Sequence, residues 1–163
     1  HVRSRRQRQM CIRDSAEGIA RANGLEITSL RTVRDGEHEP VVEQVSAEEV
    51  LTAARDAVGA EQARVGDGLV AAIVPEPLVG QIRDQLAEIH GDRVGRGAGS
   101  LSQDVVVLSA EEAKGLEFDA VVLVEPADLL DEAHGKIGSL YVALTRPTHA
   151  LHVVASKPLP AGF

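Results

Sequence analysis

The segment AKGLEFDAVVLVEP, residues 113–126, places polar residues directly before an apolar run of strand length. Lys114 supplies a cation and Glu117 a hydrogen-bond acceptor, while Gly115 permits a close backbone approach or an unusual dihedral angle. On a connection at a sheet edge, a nucleotide or a protein partner could reach these residues. The alternative is a solvated turn that the glycine breaks, and K-G-x-E alone favours that alternative.

The segment LYVALTRPTHALHVV, residues 140–154, contains the second candidate. A helix over 136–146 is predicted to end at Thr145 and Arg146, because Pro147 cannot continue it. A guanidinium at this position can bind a phosphate with paired donors, and an arginine that reaches a transferred phosphate changes the rate by orders of magnitude. The alternative is that Arg146 neutralises the C-terminus of its own helix, which the isolated pattern favours.

Other polar groups carry weaker signals. His149 and His152 are three residues apart, and no acid or cysteine stands at metal-ligand spacing from them. We predict ordinary surface histidines and no metal site. Asp128, Asp131 and Glu132 follow a predicted strand, and a solvated acidic loop is expected there.

The elements that must position these residues follow from the apolar pattern. Continuous apolar runs predict buried strands, and shorter mixed segments predict two further strands. Periodic segments between them predict helices, one opened by a Ser46–Glu49 capping box and one with Leu78, Ile82, Leu86 and Ile89 on its buried face. The strands are predicted at 27–33, 41–45, 69–75, 105–109, 120–124 and 151–155, the helices at 16–23, 46–62, 76–90 and 136–146, and a loop at 91–100.

This alternation predicts an α/β fold, a mostly parallel sheet with flanking helices. Ligands of such sheets bind beyond the carboxyl ends of the strands. The chain has 163 residues, 44% of them apolar, which suits one globular domain. It lacks an apolar run of about 18 residues, so no membrane span is predicted. The net charge of −8 and the 2% aromatic content argue against a general nucleic-acid-binding surface.

Residues 1–15, HVRSRRQRQMCIRDS, differ from the rest, with five arginines, one acid and the only cysteine. A basic nucleic-acid arm and a targeting peptide are two interpretations. RRQRQMCIRDS also resembles the translation of a transposase sequencing adapter, and we adopt that third interpretation. We therefore expect the biological domain to span 16–163 and to be a fragment that begins within a gene. The absence of cysteine from 16–163 and of a signal peptide suggests a cytoplasmic protein.

Taken together and in this order, the two segments resemble motifs V and VI of the UvrD/Rep-like helicase family. EEAKGLEFDAVVLV is similar to H-x-A-K-G-L-E-F-x-x-V, and LYVALTRPTHAL to Y-V-A-x-T-R-A. The HelD branch, actinobacterial ATPases that act on RNA polymerase, is the most similar. That similarity includes LRTVRDGEHEP and the terminal KPLPAGF and covers nearly all of 16–163.

The resemblance implies a RecA-like domain of the P-loop NTPase type, the C-terminal part of a second motor domain. It implies that Arg146 is an arginine finger for the γ-phosphate of ATP and that Glu117 hydrogen-bonds the ribose. Gly115 and Lys114 would lie along the nucleotide cleft. Tyr141 and Thr145 would position the helix that carries Arg146.

Two departures from the family pattern affect the expected partner. Glu111 stands where the family has a DNA-contacting histidine, and a carboxylate repels phosphate. This favours a motor directed at a protein, RNA polymerase, over a DNA-unwinding helicase. Pro147 replaces the usual alanine, which puts the presentation of Arg146 in doubt.

The chain contains no G-x-x-x-x-G-K-[ST] phosphate loop, and GKIGS at 135–139 does not fit the pattern. We therefore expect ATP and Mg²⁺ to be bound mainly by a preceding N-terminal motor domain. A DNA-unwinding helicase and a free-standing RecA-like binding domain remain the alternatives.

Overall fold

The described residues form one six-stranded sheet in which every pair of neighbouring strands is parallel. The computed structural model describes residues 40–96, 103–131 and 137–161. The spatial order is β1-β6-β5-β2-β4-β3. The strands are β1 (Val41–Gln44), β2 (Val70–Ile73), β3 (Val94–Arg96), β4 (Val105–Leu108), β5 (Phe118–Val124) and β6 (Pro147–Ala155).

The helices cover both faces of this sheet. α1 (Val50–Val65) and α2 (Glu76–His90) pack on one face, and α3 (Pro126–Asp131) and α4 (Ile137–Leu144) on the other. Because side chains of a strand alternate between faces, Val70 and Ala72 contact the first pair, while Ala71 and Ile73 contact the second. Burial on both faces explains the unbroken apolar runs, and the expected α/β architecture is confirmed.

The strand predictions are correct for β1, β2 and β4, place β5 and β6 with late starts, and miss the edge strand β3. β5 and β6 begin earlier than predicted, because their first residues precede the apolar runs and include polar side chains. These are Asp119 in β5 and Thr148 and His149 in β6. β3 lies in the predicted loop at 91–100; three residues with a central glycine are too few for a hydrophobic pattern. The predicted elements at 16–23 and 27–33 lie outside the described residues.

The helix predictions need similar corrections. Glu49 Oε2 accepts hydrogen bonds from the Ser46 amide (3.0 Å) and hydroxyl (2.8 Å), and α1 begins only at Val50. Ile82 and Leu86 of α2 are buried as predicted, but Ile89 is 58% exposed. Periodicity identifies the side of a helix that faces the sheet, but it does not tell how far along the helix the sheet extends. Of the acidic loop predicted after β5, Asp128 and Asp131 belong instead to the helix α3, and Glu132 lies outside the described residues.

The connections of the sheet reverse direction between β2 and β5. From β2 the chain runs through α2 to β3, towards one edge, and from β5 it runs through α3 and α4 to β6, towards the other. The helices that follow these neighbouring strands lie on opposite faces. The connections that leave the carboxyl ends of β2 and β5 therefore diverge and open a crevice between them. Such a crevice is the usual ligand position in sheets of this kind.

His152 is buried, which contradicts the predicted surface position. Its side chain lies between β1 and α1, with Nε2 3.1 Å from Glu43 Oε2 and Nδ1 3.1 Å from Glu61 Oε1. Glu61 is fully buried and also pairs with Arg64 at 3.2 Å. Burial by itself lowers the pKa of His152, but its hydrogen bonds to Glu61 and Glu43 and the attraction of both carboxylates outweigh burial, so the pKa lies above its ordinary value. The histidine thus joins the edge strand and α1 to β6.

Candidate functional site

The two segments singled out in the sequence meet at the amino edge of the sheet. Residues 109–117 cross from the carboxyl end of β4 to the start of β5, and Arg146 directly precedes β6. The backbone amide of Phe118 donates to Arg146 O at 3.0 Å. These residues therefore lie at the edge opposite the carboxyl ends of the strands, since both crossovers return to the amino edge before the candidate side chains appear.

The turn that carries Lys114 and Glu117 is anchored at its start. The Ser109 amide donates to Glu112 Oε2 (2.9 Å), and the Glu112 amide donates to Ser109 Oγ (3.3 Å). This reciprocal pair has the pattern of a helix capping box. Ala113, in the middle of the turn, is fully buried in the core. The segment is therefore a fixed part of the domain with its polar side chains outside.

Gly115 adopts a left-handed conformation with φ of 77°. We predict that Gly115→Ala lowers the free energy of unfolding by about 1 kcal/mol, because a Cβ disfavours this dihedral angle even where space is open. Gly59→Ala is the matched control: that site also has open space around it, but lies inside α1. It should stabilise by about 0.5–1 kcal/mol. Denaturant unfolding of both variants measures this, and equal changes would contradict the assignment.

Lys114 and Glu117 differ in their surroundings. The Lys114 ammonium pairs with Glu111 Oε2 at 2.6 Å, and both side chains are exposed. Glu111, which occupies the position of the family histidine, thus balances the charge of Lys114. The exposed carboxylate of Glu117 makes no hydrogen bond or ion pair within 40–96, 103–131 and 137–161. Glu117 is therefore the acceptor of this turn that a ligand can reach.

The Arg146 guanidinium links the helix end to the turn. Nε donates to Val142 O (3.2 Å), one terminal nitrogen donates to Leu116 O (2.9 Å), and the other donates to Thr145 Oγ1 (3.1 Å). The bond to Val142 is the helix-terminus contact that the sequence left as an alternative. A guanidinium has five N–H donors, and these contacts within the described residues use three. Two donors are left for a phosphate without breaking any of these contacts.

Thr145 and Tyr141 support this arrangement from α4. Thr145 Oγ1 is 3.0 Å from the carbonyl oxygens of both Tyr141 and Val142, so its hydroxyl closes the last turn. The half-buried Tyr141 packs against the hydrophobic core. Pro147 is buried as the first residue of β6, a position where its missing N–H is tolerated, and it lies in register with Phe118. The proline therefore continues the contact between the two segments.

The sequence pattern does not single out Asp119 at this edge, and it predicts His149 to be a surface histidine, which its exposed side chain confirms. The His149 imidazole lies with Nδ1 3.4 Å from Asp119 Oδ1, and Asp119 Oδ2 accepts the Leu69 amide at 2.8 Å. A Cβ added to Gly68 would lie 3.0 Å from Asp119, so a larger residue there would displace that side chain. Asp119 is the second residue of β5, and its polar side chain is the reason that the strand was predicted to begin later. The one sequence signal for Asp119 was its place directly before the predicted strand.

Two further kinds of site were sought among the described residues. No group of three or more His, Cys, Asp or Glu in this part of the chain could hold a metal ion. Of the helices in the same ranges, none has the length and apolarity needed to cross a membrane.

Similarity to known proteins agrees with this geometry. Residues 104–154, which include both segments, match the model of the UvrD-like helicase C-terminal domain. Among solved structures, the chain is similar to the C-terminal domain of a possible DNA helicase from Lactobacillus plantarum WCFS1, at 22% identity and a TM-score of 0.64. The match covers 91% of this chain and 85% of that one. A search of curated proteins found no match. The chain thus has the RecA-like fold of such a helicase domain.

Proposed function

We propose that residues 16–163 are the second RecA-like domain of a UvrD-like, ATP-driven motor and supply half of its nucleotide site. The observation that supports this most is the convergence of Arg146 and the turn of Lys114–Glu117 at one exposed sheet edge, joined through Leu116 O. An arginine that merely neutralised its own helix end would not need a hydrogen bond to Leu116 O in a turn shaped by Gly115.

The polar groups at this edge fit one part of a nucleotide. Arg146 would bind the γ-phosphate of ATP with its two remaining donors, and Glu117 would accept a ribose hydroxyl. Lys114 would contribute positive potential, reduced by its pairing with Glu111. Since the sequence contains no phosphate loop, Mg²⁺ and the remaining phosphates would be held by a preceding motor domain. ATP, when bound, supplies the free energy of hydrolysis that drives movement.

We further propose that the motor acts on RNA polymerase, as in the HelD branch. Glu111 supports this choice over DNA unwinding: its exposed carboxylate stands where strand contact would require a neutral or cationic group. The test is whether RNA polymerase stimulates the ATPase of the intact protein more than single-stranded DNA does. Stronger stimulation by DNA would favour an unwinding helicase.

We predict that the 163-residue chain alone releases no phosphate from ATP, because it lacks the phosphate loop. A coupled phosphate assay over hours measures this. The source DNA upstream of the Ala16 codon should encode that loop in frame, and sequencing it is the direct test. A native start codon close to Ala16 would favour a free-standing binding domain. Phosphate release by the purified chain that Arg146→Ala abolishes would contradict the half-site.

A further inference from the structure

Glu125 is an anomaly at the opposite, carboxyl edge of the sheet. It directly follows β5, is only 3% exposed, and has a φ of 49°, a region that glycine populates far more readily. Its Oε1 accepts the Ser156 amide at 2.7 Å, whereas Oε2 is buried without a hydrogen-bond partner among the described residues. A buried carboxylate oxygen is costly unless a donor or a cation satisfies it. Strained backbone with an unsatisfied charge is typical of a functional position.

A cavity of about 220 Å³ adjoins this carboxylate. Its walls come from the starts of α1, α2 and α3 and from the residues that follow β6, so it lies at the carboxyl ends of the strands and includes the place where the connections of β2 and β5 diverge. One wall is apolar, formed by Val50, Leu51 and Leu78. The crevice at such a reversal is the common ligand position of α/β sheets, and neither Arg146 nor the Lys114–Glu117 turn occupies it.

The charges around the cavity favour a cation. Its charged lining residues are Glu125, Asp128 and Lys157, and the ammonium of Lys157 pairs with Asp128. Two carboxylates and one ammonium thus give the lining a net negative charge. A cationic ligand would donate to Glu125 Oε2, and its apolar part would contact Leu51 and Leu78.

We propose that this cavity binds an organic cation with a short apolar stem, of the alkylguanidinium or alkylammonium class. The carboxylate of Glu125 binds the charged head, and the apolar wall holds the stem. The cation could be a free small molecule or an arginine or lysine side chain of a partner polypeptide. The proposal does not rest on the motor function, because it uses the opposite edge of the sheet.

The test is a two-dimensional amide NMR titration of the 163-residue chain with n-butylguanidinium and with n-butylurea, a neutral ligand of the same shape. We expect n-butylguanidinium to shift the amides of Leu78, Glu125 and Ser156, and n-butylurea to leave them unchanged. N-acetyl-arginine amide distinguishes the two sources. If N-acetyl-arginine amide binds about as tightly as n-butylguanidinium, the cavity accepts the arginine side chain of a polypeptide. If N-acetyl-arginine amide does not bind, the ligand is a free small molecule.

Glu125→Gln should weaken n-butylguanidinium binding about tenfold or more, since a charge-assisted hydrogen bond is lost while the shape and the Ser156 contact are kept. Glu88→Gln removes the same charge from an exposed site at the far end of α2 and should leave the dissociation constant unchanged. Thermal unfolding checks that both variants are folded. Absence of shifts, equal binding of n-butylurea, or an unchanged constant in Glu125→Gln would each overturn the proposal.

Discussion

In the intact motor, Arg146→Ala is expected to lower kcat for ATP hydrolysis about a thousandfold. A guanidinium that reaches the transferred phosphate stabilises charge that develops in the transition state, and loss of such a group has effects of this order. Steady-state phosphate release at saturating ATP measures kcat. Arg146→Lys should recover only part of the rate, because an ammonium lacks the paired donors of the fork.

The structure requires a control for folding, because Arg146 also bonds to Val142 O and Leu116 O. Thermal unfolding and the affinity for a non-hydrolysable nucleotide should therefore accompany the rate measurement. Arg55→Ala provides a matched arginine on α1, whose guanidinium pairs with the adjacent Asp56, and it should keep full activity. A folded Arg146→Ala motor with a rate within about threefold of the wild type would refute the proposed role.

His152→Ala is expected to lower the free energy of unfolding of the 163-residue chain by about 3 kcal/mol. The substitution leaves Glu61 buried with only Arg64 as a partner, and breaking a buried charged pair from one side is strongly destabilising. His149→Ala is the matched control on the same strand. Its exposed side chain should contribute within about 0.5 kcal/mol. Denaturant unfolding compares the two variants, and similar losses would contradict the assignment.

The His152 contribution should also depend on pH. The folded-state pKa lies above the ordinary 6.5, so the native state holds the proton more tightly than the unfolded state. This part of the stability is fully present below pH 6.5 and is lost as the pH rises through the folded-state pKa. The difference between wild type and His152→Ala should therefore shrink as the pH rises from 6.5 through the folded-state pKa. A difference that grows over this range would show that His152 is neutral when folded.

The two edges of the sheet carry different chemistry. The amino edge presents an exposed Glu117 and the donors of Arg146, which suits a nucleotide shared with another domain. The carboxyl edge presents the enclosed Glu125 and an apolar wall, which suits a small cation. The motif residues lie at the amino edge, whereas the proposed second site lies at the carboxyl ends, the common ligand position of such sheets.

The sequence by itself predicted most of the strands and helices and the residue types of the proposed half-site. Unbroken apolar runs indicate β2, β4, β5 and β6, because strands buried on both faces need apolar side chains at successive positions. Tertiary structure alone decided which sheet edge carries Arg146 and Glu117, because that depends on the direction and length of crossovers rather than on any local pattern. It also decided that His152 is buried and Glu125 strained: their partners lie 91 and 31 residues away along the chain, beyond the reach of local periodicity.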